Sequence, residues 1–142
     1  MSDDVIAIAL DYWERLRGTR RMPAKADIDP VAIRHFLPNV MLIDVLRDPL
    51  DFSCRLIGGE IERVTRSGQR GRRFSQSRNA YRGSGTWSDY EQTVLSRRPF
   101  AGAMAYSSPD ATVRALRHGL MPLSTDGANV NMIFAVVAIE RG

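Results

Sequence analysis

The run "NVNMIFAVVAI", residues 129–139, constrains the fold more than any other stretch of the chain. An extended strand directs alternate side chains to opposite faces. Here both alternate sets are mainly apolar: Val130, Met132, Phe134 and Val136 on one side, and Ile133, Ala135, Val137 and Ile139 on the other. In a strand with one solvent-exposed face, apolar and polar residues would alternate. We therefore expect a sheet that other elements cover on both faces.

A helix near the amino terminus can supply one of these covers. The stretch "DDVIAIALDYWERLRG" has Asp3 or Asp4 as an N-cap and Gly18 after the last turn, as helix ends require. Its apolar side chains recur at helical spacing. We expect it to cover the sheet alone or with the same helix of a second subunit, through the candidate interface residues Ile6, Leu10, Trp13 and Leu16.

The remaining patterns predict an antiparallel sheet with inserted helices. Residues 18–37 read as a loop that leads into a helical turn at "DPVAIRHFLP". Two β-branched runs joined by "RDPLD" predict a hairpin, and a short helix and a longer helix at about 86–97 follow it. Three extended runs end the chain. The order of elements indicates an α+β fold.

Composition narrows the class of protein. A chain of 142 residues, with 44% hydrophobic and 25% charged residues, is typical of one globular domain. No apolar run reaches the ~20 residues that span a bilayer, and the first residues are acidic where a signal peptide is basic. We therefore expect a cytoplasmic protein without membrane insertion. Cys54 is the single cysteine, which excludes a disulfide within one chain.

Five segments occur in an order that resembles the bacterial family of single-domain PAS proteins with an aromatic N-terminal helix. They are "DYWERLRGTRRMPAKADIDP", "LPNVMLIDV", "DFSCRLIGGEIERV", "GRRF" and "LMPLSTDGANVNMIF". The resemblance covers about residues 8–139. It implies a five-stranded antiparallel sheet with short helices on one face. We divide the chain into residues 1–37, the N-terminal helix with a connecting segment, and residues 38–142, the PAS-like domain.

The resemblance also implies a function in sensing. PAS domains commonly bind a ligand or partner and pass the change on, and these 142 residues contain no output domain, so we expect signals to leave through dimer or partner contacts. The expected fold would place candidate pocket residues between sheet and helices: Leu42, Phe52, Leu56, Ile61, Val64, Tyr90, Val94, Leu116 and Phe134. The alternative for the same residues is an ordinary packed core.

Cofactor and enzyme chemistry find little support in the sequence. A haem-binding PAS domain supplies a histidine from its longer helix, and none occurs between His35 and His118. Flavin photosensors of this fold need a cysteine on a helix, whereas Cys54 falls in a strand, where it acts as a small apolar residue. No phosphate loop, nucleophile elbow or metal-spaced histidine pair is present. We expect a non-catalytic protein without a metal, haem or flavin.

Positive charge is concentrated in the middle of the chain. Residues 52–98 carry ten arginines against four acidic residues, in a chain of net charge +4. An alternative function is therefore binding of nucleic acid or an acidic protein through Arg63, Arg66, Arg70, Arg72 and Arg73. No recognition helix or aromatic platform accompanies this patch, which argues against nucleic acid. Arg55 can pair with Asp44 on the neighbouring strand or contact a partner, and we favour the structural role.

Overall fold

The α+β prediction is confirmed. The computed structural model describes residues 4–65 and 70–142. Its helices and strands are α1 (Val5–Arg17), β1 (Val40–Leu46), β2 (Asp51–Ile57), α2 (Gly59–Thr65), α3 (Gly85–Ser96), β3 (Phe100–Ala103), β4 (Val113–Leu123) and β5 (Met132–Arg141). Short 3₁₀ turns lie at Lys25–Asp27, Leu37–Asn39 and Phe74–Gln76.

The five strands form one antiparallel sheet in the order β2-β1-β5-β4-β3. Strand β5 lies in the middle, with Phe134 opposite Leu42 of β1 on one side and Met121 of β4 on the other. All residues from Met132 to Ala138 are buried. The expected sheet with two covered faces is therefore present, and the strand that predicted it is the central one.

Helix α1 covers one face of the sheet, which we call the outer face. The Asp4 side chain caps the helix by accepting a hydrogen bond from the Ile6 amide at 3.1 Å. Ile6, Ala9 and Trp13 are buried against β4 and β5. A Cβ on Gly119 would lie 2.9 Å from Ile6 Cγ2, so glycine allows the helix to approach closely. The Trp13 indole Nε1 donates to the Pro122 carbonyl at 2.9 Å.

Helices α2 and α3 and the Phe74–Gln76 turn cover the opposite, inner face. Phe52 lies at the centre of this layer, with its ring 5.3 Å from Phe74, 5.0 Å from Trp87 and 5.5 Å from Tyr90, measured between ring centroids. Aromatic rings at such distances pack in edge-to-face and tilted pairs. The two layers bury a core that includes residues of α1 as well as the sheet. The division at residue 37 stays a prediction.

The connecting segment, residues 18–37, follows the outer side of the molecule in successive turns. Its apolar anchors Met22, Ile33 and Phe36 are buried. Hydrogen bonds attach its backbone to distant parts of the chain: Ser124 N donates to Pro23 O at 2.9 Å, and Asp29 N donates to Tyr12 Oη at 3.0 Å. The segment is thus fixed at several points, although its sequence carries no periodic pattern.

Leu56 lies on the opposite face of the sheet from the one that the sequence predicts. Simple alternation predicts Phe52, Cys54 and Leu56 on one face, but Leu42 pairs with Leu56 while Ile43 pairs with Cys54. Arg55 is therefore the extra residue of a β-bulge, which reverses the side that later residues face. Leu56 lies on the outer face beside Leu42 and is 37% exposed. Phe52 and Cys54 remain buried on the inner face.

The buried face of helix α3 also differs from the prediction. Helical spacing predicts one apolar face with Trp87, Tyr90, Val94 and Leu95. Trp87 and Tyr90 are buried, but Leu95 is 72% exposed. Thr93 takes the buried position instead and donates its hydroxyl to the Asp89 carbonyl at 2.9 Å. The apolar stripe of α3 is consequently shorter than the sequence pattern suggests.

The expected ion pair between Arg55 and Asp44 is confirmed. Arg55 Nε lies 3.0 Å from both carboxylate oxygens of Asp44. Both residues occupy the outer side of neighbouring strands, and the arginine side chain is mostly exposed. Exposed pairs of this kind contribute about 0–1 kcal/mol to stability. The pair thus fixes the bulged arginine more than it stabilises the fold.

The packing of α1 predicts how substitutions at Trp13 change stability. Trp13→Ala removes a buried ring and should lower the free energy of unfolding by about 3–5 kcal/mol. Trp13→Phe keeps an aromatic ring but loses the bond to Pro122, which should cost less, with ~1 kcal/mol from the hydrogen bond. Urea titrations followed by circular dichroism measure both, with Ile8→Ala, 39% exposed on the same helix, as control. Equal costs at Ile8 and Trp13 would show that α1 does not pack as described.

Candidate ligand-binding sites

The nine candidate pocket residues fall in three places. Phe52, Ile61, Val64, Tyr90 and Leu116 contribute to the layer between the inner face and the helices. Leu42, Leu56 and Phe134 lie together on the outer face, where β1 pairs with β2 and β5. Val94 is half-buried at the end of α3, beside the hairpin turn between β1 and β2. The structure thus does not unite the nine in one pocket, and their roles in binding stay predictions.

The inner face leaves a small cavity. Its volume is about 40 Å³, and its lining includes Met41, Ile61, Phe74, Tyr90, Met104 and His118. Ligand pockets for drug-sized molecules usually measure ~300–1,000 Å³, whereas a single water needs only ~10–15 Å³ of such space. The aromatic side chains around Phe52 therefore fill most of the space between sheet and helices, and a water-sized molecule is what fits in the remainder.

A polar pair borders this cavity that sequence reasoning did not predict. His118 of β4 is 1% exposed, and its Nε2 lies 2.9 Å from Asp89 Oδ2 of α3. Burial lowers the pKa of His118, and the hydrogen bond and charge of Asp89 oppose that shift. The carboxylate accepts a hydrogen bond, so Nε2 carries the proton of the neutral ring and Nδ1 is an acceptor. His118 is therefore a core residue of the sheet.

Two buried polar atoms near the cavity have no hydrogen-bond partner among the described residues: Tyr90 Oη and His118 Nδ1. Burial raises the pKa of Tyr90, so the phenol keeps its proton and is a donor. Both residues line the same cavity, with ring centroids 6.2 Å apart. A buried polar atom without a partner costs free energy. The inner cavity consequently offers one donor and one acceptor to a water-sized molecule.

The outer face carries a larger site, which we call the outer groove. It has a volume of about 690 Å³ and lies between the connecting segment and the strands β1, β2 and β5. One wall contains Ile28, Pro30, Ile33 and Leu37, and the other contains Val40, Leu42, Leu56 and Phe134. Three cationic residues, Lys25, Arg34 and Arg70, complete the lining described here, which includes no acidic residue.

Two local features shape the outer groove. The bulge at Arg55 places Leu56 on the groove side of β2. At the end of β2, Gly58 N donates to Val40 O at 2.7 Å, and a Cβ on Gly58 would lie 2.3 Å from Pro38 O. A side chain at this position would force the backbones apart. Glycine therefore allows the two walls to meet at one end of the groove.

Cys54 lies beneath this region and is buried. Burial raises the pKa of its thiol to about 11, and the positive charge of Arg70 partly opposes that shift. The thiol is therefore protonated at neutral pH, and a protonated buried thiol is a poor nucleophile. Its packing in the core agrees with the expected role as a small apolar residue.

The residues of the arginine cluster have different surroundings. Arg63 forms an ion pair with Glu60 at 2.9 Å, and Arg66 lies outside the described residues. Arg70, Arg72 and Arg73 are exposed. A cleft of about 210 Å³ runs beside Arg72, Arg73 and Arg78. Binding of nucleic acid or an acidic protein at this cluster stays a prediction.

The described part of the chain contains neither a candidate metal-binding cluster nor a helix that could span a membrane. Between residues 4–65 and 70–142, no group of three or more His, Cys, Asp or Glu side chains is arranged to hold a metal ion. Within those same ranges, no helix combines the length and apolar character needed to cross a membrane.

The sheet order and the layers on its two faces agree with a family comparison. A family model described as "PAS domain" matches residues 1–137. The chain belongs to the PAS domain family. The resemblance drawn from the sequence is thereby confirmed over nearly the whole chain. No curated protein matches it at the threshold used for relatedness. PAS domains are sensory and signalling modules, generally without catalytic activity, and this PAS domain has the fold of such a module.

The pair of His118 and Asp89 predicts a pH dependence of stability. The unfolded state binds a proton at His118 with the ordinary pKa of 6.5, whereas the folded state has a lower pKa. Stability is therefore unaffected well above pH 6.5 and falls as pH drops below it, because the unfolded state takes up the proton more readily.

Urea unfolding between pH 7.5 and 5 tests this dependence. The variant His118→Gln lacks the titrating group, so its stability should fall less than that of the wild type over this range. His35→Gln, at an exposed position, serves as the matched control. Carboxylates with a lowered pKa, such as Asp51, affect the pH dependence of stability at lower pH, below their ordinary pKa of 3.8. Parallel curves for wild type and His118→Gln would show that His118 titrates alike in both states.

Proposed function

We propose that this PAS domain is a non-catalytic sensor that binds a small apolar ligand in the outer groove and signals through dimer or partner contacts. The observation that carries the proposal is the groove itself. Its volume of about 690 Å³ falls within the ~300–1,000 Å³ of ordinary ligand pockets. Three of the candidate residues, Leu42, Leu56 and Phe134, line it.

The volumes favour the outer groove over the inner cavity. A cavity of about 40 Å³ has no space for an organic ligand unless the aromatic layer around Phe52 rearranges. Cores packed to crystal-like density resist such rearrangement. The outer groove needs no repacking, because its space already exists between two separate walls.

The groove lining supplies a driving force for binding. Most of the side chains that line it are aliphatic or aromatic, and Leu56 is 37% exposed. Each methylene group transferred from water to such a surface contributes about 0.8 kcal/mol. An apolar ligand of moderate length can thereby offset the loss of its translational and rotational freedom.

Contacts of the connecting segment offer a path for the signal. The groove wall contains Lys25, Ile28 and Pro30, and the neighbouring Asp29 N donates to Tyr12 Oη of α1 at 3.0 Å. A ligand that displaces this wall also acts on α1 through the same hydrogen bond. Helix α1 covers the outer face, so a shift of the helix alters the surface that a partner meets.

The four candidate interface residues of α1 differ in their exposure. Ile6 and Trp13 are buried within the chain, while Leu10 and Leu16 are half-buried. On the same helix Ile8 is 39% exposed. A homodimer through α1 stays a proposal, and in it the second subunit would contact Leu10, Leu16 and Ile8 rather than the side chains that face the sheet.

Binding of a neutral apolar dye tests the groove. N-phenyl-1-naphthylamine should give saturable fluorescence with the wild type, and Leu42→Trp, which fills the groove, should weaken binding about tenfold or more. Leu95→Trp is the matched control, since Leu95 is 72% exposed at another site. Circular dichroism verifies that both variants fold. Equal dye affinity for the two variants, or no saturable binding to the wild type, would contradict a ligand site in the groove.

A further inference from the structure

We propose that the outer groove selects amphipathic anions, small molecules with an apolar chain and a carboxylate head group. This inference rests on the proposed function, which requires an apolar ligand, and adds a requirement for negative charge. Lys25, Arg34 and Arg70 line the groove together with its apolar walls. The combination of aliphatic surface and cations matches both parts of such a molecule.

The charges of the lining are all of one sign. Lys25, Arg34 and Arg70 each lack an ion pair with any acidic residue that the structure describes. The described lining contains no aspartate or glutamate. Elsewhere on the outer face the opposite holds, since Arg55 is neutralised by Asp44 at 3.0 Å. The described lining therefore carries net positive charge, and such charge attracts anions.

The cations come from both walls of the groove. Lys25 and Arg34 belong to the connecting segment, whereas Arg70 lies beside β2, in an isolated bridge with Cys54. Gly71 N donates to Cys54 O at 2.8 Å, which attaches this stretch to the strand. The charge of Arg70 is near enough to lower the pKa of the Cys54 thiol against the effect of burial. Arg70 is thus held at the sheet side by backbone contacts.

The apolar walls decide between kinds of anion. Ile28, Pro30, Leu42 and Leu56 offer no hydrogen-bond donors from their side chains, so a small inorganic anion would leave most of the groove unused. A folded protein partner needs a surface of roughly 800 Å² on each side, whereas this groove has the size of a small-molecule site. Arginine suits a carboxylate head group because its guanidinium donates two parallel hydrogen bonds.

Three ligands of equal chain length and different charge test the inference: octanoate, 1-octanol and octylammonium. Each is titrated into the full chain at low ionic strength, and displacement of N-phenyl-1-naphthylamine is measured. Octanoate should bind about tenfold more tightly than 1-octanol, a difference of ~1.4 kcal/mol, and octylammonium should bind least. The advantage of octanoate should shrink as salt is added, because partly exposed charges are screened.

Charge variants locate the selectivity. Arg34→Gln and Arg70→Gln should each narrow the preference of octanoate over 1-octanol by about threefold, while Arg34→Lys should retain most of it. Arg98→Gln, at an exposed position outside the groove, should change nothing. A matched pair inside the groove adds a stricter control. Leu56→Glu should abolish or reverse the preference for octanoate over 1-octanol, whereas Leu56→Gln should weaken the binding of all three ligands alike.

The outcomes separate this inference from the proposed function. Equal binding of octanoate and 1-octanol would overturn the charge requirement and leave the apolar groove intact. Failure of the dye and of all three ligands to bind would overturn both. A preference for octanoate that Arg34→Gln, Arg70→Gln and Leu56→Glu leave unchanged would place anion recognition elsewhere and overturn the inference. Circular dichroism of each variant excludes unfolding as the cause, and the substituted side chains are all exposed.

Discussion

The burial of β5 on both faces is the constraint on which the rest of the structure depends. A central strand that is apolar on each side needs two separate covers, and the chain supplies them from distant parts of its sequence. Helix α1, at the beginning, covers the outer face, while α2 and α3, inserted between β2 and β3, cover the inner face. The inner cavity lies between the sheet and the second of these covers, whereas the outer groove lies between the sheet and the connecting segment that follows α1.

The two covers pack differently, and this difference separates their chemistry. On the inner side, Phe52, Phe74, Trp87 and Tyr90 form a layer of interlocking rings. On the outer side, α1 crosses β4 and β5, and a connecting segment made of turns, one of them the short 3₁₀ turn Lys25–Asp27, lies over β1 and β2. A helix can pack along its whole length, whereas turns anchored at Met22, Ile33 and Phe36 leave space between the anchors. The larger site is therefore on the less regular side.

Sequence reasoning succeeded where a pattern is local and repeats. The periodicity of Ile6, Ala9 and Trp13 predicted α1 and its buried face, and the double apolar set of β5 predicted a sheet covered on both sides. It failed at Leu56, because alternation cannot reveal an inserted residue such as Arg55. The pair of His118 and Asp89 was also missed, since its partners are 29 residues apart and no local signal joins them.

The candidate pocket shows the same limit. Apolar character identified Leu42, Leu56 and Phe134 as buried or lining residues, but it could not assign them to a face of the sheet. The sequence therefore combined residues from three places into one pocket. The groove wall at Lys25, Ile28 and Pro30 carries no periodicity at all. Such a wall becomes visible when the turns are placed against the sheet, which depends on long-range packing rather than on local propensity.

The backbone contact between Gly58 and Pro38 fixes one end of the groove. Backbone meets backbone there, with no room for a Cβ, so the separation of the two walls at that end is set by main-chain atoms that cannot adopt another rotamer. Lys25 and Ala26, farther along the connecting segment, are exposed, and their side chains can move without disturbing the core. Main-chain contact at Gly58 therefore fixes the width of the groove at one end, whereas exposed side chains of the Lys25–Asp27 turn border it farther along.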